Sequence, residues 1–368
     1  MKLVVHARDR AAFLTCRRAW DLSATARRNL EPLSPSIPVN VAEAVRAALA
    51  VYYFPGMWDW ERALVLPLAR KALDDNLAKQ IATSERVGAM TEARRAEVEA
   101  RRELAVELLE DYFSWAPSVD DFAPVRIATD FSITIPDPAR PGFDLTTADG
   151  KEVRYEGRVD VLAMDEHDAY WIVEHRVGPG FAELHDLLLD EQALSYCWAW
   201  PHFYLGMRIV GTIHNELRTD VATRPAAPEP PRPRVSATGY PQSSRRVYAE
   251  PKQVPSKRVK SAGSERFRRT WIVRTDEELV RFGERFSAQI KEMISPGLAV
   301  YPEPSPEACR ACAFAEPCRA LNAGEDAEAI LARSYRVRPQ VVEEGRLGGS
   351  SWSMNRGARP PRFGGEAR

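Results

Sequence analysis

The hydrophobic pattern of the chain changes its period near residue 120, and this change limits the folds available to it. Before that point apolar residues recur at helical spacing, so the first third is expected to be all helix. The predicted helices cover residues 9–28, 41–53, 60–82 and 91–115. After that point alternation predicts strands over 125–135, 152–164, 169–174 and 206–213, with helices over 182–200 and 276–294. We therefore expect an α/β fold in which helices flank a mixed sheet.

Composition shifts divide the chain into five segments. We expect a helical N-terminal part over 1–120, a core over 121–215, a basic Pro-rich insertion over 216–270, a C-terminal helix with a cysteine cluster over 271–335, and a disordered basic tail over 336–368.

Charge is unevenly distributed although the net charge is −1. Fourteen Lys or Arg residues but four Asp or Glu residues lie between Leu217 and Arg274. Such a basic stretch favours a polyanionic partner, nucleic acid first, and the alternative is a solvated linker without a partner. Alternating basic and aromatic residues from Arg266 to Trp271 suit contact with single-stranded nucleic acid. No apolar run is long enough to span a bilayer, and the charged first residues do not suit a signal peptide, so we expect a cytoplasmic protein with no membrane partner.

Two acidic residues, Asp160 and Glu174, lie near adjoining ends of the predicted hairpin strands. Paired carboxylates at a strand edge offer the oxygen ligands that Mg²⁺ or Mn²⁺ needs, with room for water and a phosphate oxygen. The side chain of Arg176 projects from the same face as Glu174, two residues on. The alternative is a pair of surface carboxylates that bind no metal.

The helix predicted after the hairpin carries Gln192 and Tyr196, four residues apart and therefore on one face. An amide and a phenol displayed together can contact a phosphate backbone or a nucleotide. The alternative is a partly buried aromatic residue with a polar neighbour.

Three segments together carry a resemblance to a known family. Gly157-Arg158-Val159-Asp160, Ile172-Val173-Glu174-His175-Arg176 and Gln192-x-x-x-Tyr196 resemble the successive motifs of RecB-type PD-(D/E)XK nucleases. The resemblance implies a small mixed sheet flanked by helices and a metal site formed by Asp160 and Glu174. It also implies that Arg176 stands in place of the motif lysine and that Gln192 and Tyr196 contact DNA.

The chain departs from that pattern at two positions. Arg176 replaces a lysine, and a planar, permanently charged guanidinium is not equivalent to a compact ammonium group. Arg46 stands where the family tends to carry a metal-binding histidine on an upstream helix. The alternative to an active enzyme is therefore a catalytically weakened or inactive relative that still binds DNA.

Four of the five cysteines form a one-plus-three pattern: Cys16 lies near the start, and Cys309, Cys312 and Cys318 lie near the end. Four thiolates could hold Zn²⁺ or a cubane cluster. The pattern resembles the iron–sulfur nucleases of the same superfamily, including AddB-type subunits and CRISPR-associated exonucleases, and this implies a structural [4Fe–4S] cluster. Zinc in a protein-interaction domain and unrelated thiols remain the alternatives. We expect Cys197 to be a core residue.

These features predict a metal-dependent DNA nuclease, and more narrowly an exonuclease, that acts on DNA ends or single strands in recombination, repair or phage replication. The phage setting is suggested by the segment Asn215-x-Leu217-Arg218, which is similar to phage-encoded RecB-like nucleases. A helicase or a recombination protein is the expected protein partner.

Overall fold

The computed structural model describes residues 2–33, 39–86, 90–205, 207–220 and 259–338. The strands are β1 (Lys2–Val5), β2 (Leu30–Pro32), β3 (Phe122–Thr134), β4 (Glu152–Asp165), β5 (Tyr170–Gly178), β6 (Ile209–Arg218), β7 (Val259–Gly263), β8 (Phe267–Val273) and β9 (Tyr335–Val337). The helices are α1 (Ala7–Thr15), α2 (Arg17–Ser23), α3 (Val41–Tyr52), α4 (Arg62–Arg86), α5 (Glu92–Trp115), α6 (Leu184–Leu188), α7 (Glu191–Phe203), α8 (Asp276–Met293), α9 (Pro306–Arg310), α10 (Ala315–Ala323) and α11 (Ala327–Ser334). Short 3₁₀ turns cover Pro55–Met57 and Ala116–Ser118.

A mixed sheet, seven-stranded over the described residues, forms the centre of the fold. The strand order is β1-β4-β5-β6-β8-β7, and β3 pairs with β4 as well. Strands β1 and β4 are parallel, as are β5 and β6, and the other neighbours are antiparallel. The predicted mixed sheet flanked by helices is confirmed.

Helices cover both faces of the sheet. Residues of α3, α4 and α5 pack on one face in a core that includes Leu49 and Val173. Residues of α1, α7 and α8 pack on the other face around Tyr155 and Ile172. Because successive strand residues point to opposite faces, β5 is buried on both sides, which explains its continuous apolar start.

The predictions for the centre of the fold are confirmed, and local hydrogen bonds stabilise these elements. The strand predicted over 125–135 is β3, the predicted hairpin is formed by β4 and β5, and the helix predicted over 276–294 is α8. The Asp165 side chain closes the hairpin by accepting the backbone N–H groups of His167 and Ala169, at 2.9 and 3.0 Å. The Thr275 hydroxyl caps α8 by accepting the N–H of Glu278 at 3.1 Å.

The prediction that the first third is all helix is wrong. Strand β1 pairs with β4, and β2 pairs with β9 near the other end of the described chain. Both strands are short and rely on distant partners, so local periodicity does not identify them. The helix predicted over 9–28 also breaks at Cys16, whose backbone is extended.

The prediction of a basic insertion over 216–270 is wrong at both of its ends. Strand β6 continues to Arg218, and β7 and β8 hydrogen-bond into the sheet from Val259 onward. Basic residues are accommodated in β8 because Arg269 has a buried acidic partner. Residues 221–258 of this segment, residues 339–368 of the predicted tail, and Gly206 at the start of a predicted strand lie outside the described residues. The tail prediction is wrong at residues 336–337, which belong to β9.

A second boundary also differs from the prediction. The helix predicted over 182–200 is two helices, α6 and α7, separated at Asp190. The Asp190 side chain accepts the N–H groups of Gln192 and Ala193 and so begins α7.

A fully buried ion pair joins the sheet to the helical layer. The guanidinium of Arg269 in β8 donates to Asp120, and neither side chain is exposed to solvent. Arg269 also donates to the hydroxyls of Tyr53 and Tyr112, at 2.7 and 2.8 Å. The amide of Asn215 in β6 donates to Tyr112 at 2.9 Å. This network therefore connects α5, β6 and β8 with the residue that follows α3.

We expect Asp120→Asn to lower the free energy of unfolding by about 3–5 kcal/mol, because it leaves Arg269 buried without its counter-charge. Urea denaturation measures the loss. The neighbouring Asp121 offers a matched control, since it pairs with Lys260 at a site where both side chains are about half exposed. Asp121→Asn is expected to change stability by less than about 1 kcal/mol. Equal losses of unfolding free energy in the two variants would contradict a stabilising role for the buried pair.

Candidate functional site

The site lies where β5 leaves the edge of β4. One edge of β4 pairs with β3 along most of its length, so β1 and β5 share the other edge. Strand β1 pairs there up to Tyr155 and β5 pairs from Val161 onward. The intervening residues of β4 end at Asp160, so this acid lies at a gap in the sheet.

The two predicted acids converge at this gap. Val161 pairs with Val173, so Asp160 and Glu174 lie opposite each other one position further along the antiparallel strands and share one face. The N–H of His175, not used in the ladder with β4, donates to Asp160 Oδ2 at 2.9 Å. Asp160 and Glu174 both line a cavity of about 590 Å³.

The environment of this acid pair suits a cation. Burial raises the pKa of Glu174 well above its usual value, and the charges of Asp160 and Asp190 raise it further. Burial also raises the pKa of Asp160. The Oε1 atom of Glu174 is buried and has no hydrogen-bond partner among the described residues. Two adjacent carboxylates, one with an unsatisfied buried oxygen, fit a hard divalent cation, which would relieve both the repulsion and the missing contact.

Three arginines surround the acid pair. Arg176 forms an ion pair with Asp190, and Arg158 makes a two-pronged pair with Asp130, both bonds being 2.7 Å long. Arg46 reaches the cavity from α3, and its Nε donates to the carbonyl oxygen of His175 at 3.1 Å. The cavity therefore places cationic groups around a site suited to a metal ion.

A comparison with known families agrees with this arrangement. The sequence profile of the PD-(D/E)XK nuclease superfamily matches residues 10–319. The chain belongs to this superfamily. PD-(D/E)XK nucleases use divalent metals such as Mg²⁺ and Mn²⁺, in keeping with the acid pair. Among curated proteins the sequence has no significant match.

Within this PD-(D/E)XK site, the predicted Gln192 and Tyr196 have different surroundings. Gln192 is exposed and lines the cavity. Tyr196 is 7% exposed and packs edge-to-face on Phe131, with 5.4 Å between ring centroids. Its ring also lies against Gly157, where an added Cβ would come within 2.9 Å of it. The structure thus places Gln192 at the cavity and Tyr196 in the core, and contact of either with DNA stays a prediction.

Sequence reasoning missed three polar residues of the site. His214 and Glu216 in β6 lie beside Glu174 and Arg176 of the parallel strand β5. Glu216 is buried and holds the cavity wall by accepting the N–H of Ala182 at 2.8 Å and the Nε of Arg268 at 2.7 Å. Asp190 caps α7 and also holds Arg176. Alternation in β6 is the signal that could have found the first two, but only with the parallel pairing known.

The sequence identifies His175 only as a motif position, but in the structure its contacts hold the site residues in place. Its ring stacks on Tyr53, with centroids 5.4 Å apart, and its Nδ1 lies 2.9 Å from the amide nitrogen of Asn215. Burial, aided by the nearby charges of Arg269 and Arg46, lowers the pKa of His175 to about 3, so the ring is neutral. The His175 ring is held by Tyr53 and Asn215. It therefore positions the backbone N–H and carbonyl groups of His175, which contact Asp160 and Arg46.

The four predicted cluster cysteines come into one neighbourhood. Burial raises the pKa of Cys312, and negative charge on the thiolate forms of Cys16, Cys318 and Cys309 raises it further. Arg18, two residues after Cys16, donates to the carbonyl oxygen of Cys318 at 3.3 Å. Over the described part of the chain, no group of three or more His, Cys, Asp or Glu side chains has metal-binding geometry. Cys197 is fully buried, as predicted.

The described helices include none whose length and apolar character would let it cross a membrane.

We expect Glu174→Gln to stabilise the metal-free protein at pH 8. The raised pKa means that the folded state keeps a proton that the unfolded state releases, so the stability of the native protein falls as pH rises above the usual carboxyl range. Each unit of difference in pKa corresponds to about 1.4 kcal/mol. Denaturation in EDTA at several pH values measures the difference, which should shrink toward pH 4.

The exposed Glu166, in the turn of the same hairpin, serves as a control. Glu166→Gln should leave the pH dependence of stability unchanged. A Glu174→Gln variant that is less stable than the native protein at every pH would contradict the raised pKa of this buried carboxyl group.

Proposed function

We propose that this chain is a metal-dependent DNA nuclease of the RecB-like branch, and that it acts as an exonuclease on DNA ends or single strands. The observation that carries the proposal is the buried acid pair, in which Glu174 Oε1 has no partner among the described residues and both acids line a cavity flanked by arginines. Recombination, repair or phage replication is the proposed setting, with a helicase or a recombination protein as partner.

In this proposal Asp160 and Glu174 hold Mg²⁺ or Mn²⁺. Such a cation, when bound, lowers the pKa of a coordinated water and offsets negative charge on the scissile phosphate. The peptide N–H of His175 orients the Asp160 carboxylate. Arg176, oriented by Asp190, supplies positive charge that stabilises the developing phosphorane. Gln192 offers an amide to the DNA backbone at the exposed wall of the cavity.

We expect the protein to cleave end-labelled single-stranded or duplex DNA when Mg²⁺ or Mn²⁺ is present. Asp160→Ala should lower the rate by at least about a thousandfold, because several kcal/mol of charge stabilisation are lost. Gel analysis of cleavage products measures the rate and also shows the polarity. Glu166→Gln, at the other end of the hairpin, should cleave at the native rate.

A second candidate function is DNA binding without efficient cleavage. The observation that favours it is the ion pair of Arg176 with Asp190. Arg176 takes the place of the motif lysine, and this pair makes its charge less available to the substrate. DNA binding by the native protein with no cleavage in either metal would support this candidate over the first.

We also propose that Cys16, Cys309, Cys312 and Cys318 hold a [4Fe–4S] cluster with a structural role. Support comes from the nearness of Cys16, Cys309 and Cys318 to Cys312, whose pKa their charge raises, and from the hydrogen bond of Arg18 to Cys318. Ligation would add folding free energy, because it would join the segment that carries Cys16 to the distant segment that carries the other three cysteines. Zinc bound by the same thiols is the alternative.

We expect anaerobically purified protein to be brown and to contain about four iron atoms per chain, as a cubane cluster requires. Cys16→Ser should lose the colour and most of the iron. Cys197→Ala should keep both, because Cys197 lies in the core beside the sheet whereas Cys312 packs against a separate hydrophobic cluster. Stoichiometric zinc in colourless protein would instead establish the alternative.

A further inference from the structure

Among the arginines that line the cavity, Arg46 differs from the other two in its partners. Arg176 and Arg158 each pair with a carboxylate, of Asp190 and Asp130 respectively. Arg46 has no carboxylate within ion-pair distance in the described part of the chain, and its bond to the His175 carbonyl is its single hydrogen bond there. A charged group placed at a cavity without a counter-ion is available to an anionic ligand.

The position of Arg46 is well defined by its surroundings. Its neighbours Val45 and Leu49 are completely buried, so α3 is fixed against the sheet. The bond from Nε to the His175 carbonyl holds one edge of the guanidinium. Over the described residues its two Nη atoms are not buried without a partner, and the side chain lines the cavity. The side chain is therefore anchored at one edge and free to donate from the other.

The same peptide unit places Arg46 relative to the acid pair. His175 donates its N–H to Asp160 and accepts from Arg46 through its carbonyl oxygen. The positive charge of Arg46 lowers the pKa of both Asp160 and Glu174, which partly opposes the effect of burial. Arg46 thus lies within electrostatic reach of the acid pair without being bound by either acid.

A phosphodiester that enters this cavity approaches the negative charge of the acid pair, so binding there needs a cationic group. A guanidinium with two parallel N–H donors binds a phosphate in a two-pronged way, and its plane fixes the orientation of the phosphate. Arg176 would have to give up the Asp190 pair to do the same. Arg46 needs no such exchange.

We propose that Arg46 is the phosphate anchor of the site: it binds a backbone phosphate of DNA beside the acid pair, while Arg176 and Arg158 keep their carboxylate partners. This inference rests on the proposed function, since DNA is taken as the ligand.

The experiment measures binding of a labelled single-stranded oligonucleotide in EDTA, where hydrolysis is prevented, over a range of salt concentrations. Arg46→Gln should weaken binding about tenfold at low salt, and the slope of log K against log[salt] should fall in magnitude by about 0.7, the value for one lost contact with a single strand. Arg46→Lys keeps the charge and should recover most of the slope.

Arg281→Gln is the matched control, because Arg281 lies on the exposed face of α8 and pairs with Glu277. It removes the same charge from the protein and should leave the slope unchanged. An Arg46→Gln variant with lower stability but a native slope would show that Arg46 only ties α3 to β5, and the proposal would be overturned.

Failure of this inference can be told apart from failure of the proposed function. Cleavage by the native protein in Mn²⁺, together with an unchanged slope in Arg46→Gln, overturns the anchor alone. No cleavage by the native protein, together with the reduced slope, overturns the nuclease activity and supports the anchor. A native protein that binds no DNA at any salt concentration contradicts both.

Discussion

The buried ion pair between Asp120 and Arg269 is the interaction on which the geometry of the site depends. It allows β8, a strand rich in arginine, to lie inside the sheet, and its tyrosine partners bring α3 and α5 against that sheet. Tyr53 then supports the His175 ring, whose peptide contacts Asp160 and Arg46. Burying two charges is costly unless they are paired and hydrogen-bonded, so this network tolerates few alternative arrangements. That constraint gives the acid pair a fixed frame.

The acid pair itself depends on a break in regular structure. Where β1 and β5 share one edge of β4, backbone groups lose their ladder partners, and side chains can take their place. The His175 N–H, for example, donates to a carboxylate rather than to a strand. A regular sheet would have left no space between the strands for a cation or a phosphate. The gap between the strands therefore gives the acid pair and the cavity their place in the sheet.

Much of the centre of the fold could be predicted from the sequence because its signals are local. Alternation and a short polar turn identify the hairpin, and they bring Asp160 and Glu174 together without knowledge of the rest. Strands β1 and β2 could not be predicted in this way, since each is short and gains its stability from a partner far along the chain. The same holds for Glu216, whose role depends on the parallel pairing of β5 with β6. The approach of Arg46 to the His175 carbonyl required the packing of a helix on the sheet.

The pairing of β2 with β9 joins residues that are about 300 positions apart, since Leu30 lies opposite Val337. Contacts between such distant residues slow folding, because a long loop must close before they form. During synthesis on the ribosome, β2 has no partner until nearly all of the described chain has emerged. The hydrogen-bonding edge of β2 therefore stays unpaired until β9 has been synthesised. Truncation before residue 335 would leave that edge permanently uncovered and prone to intermolecular pairing.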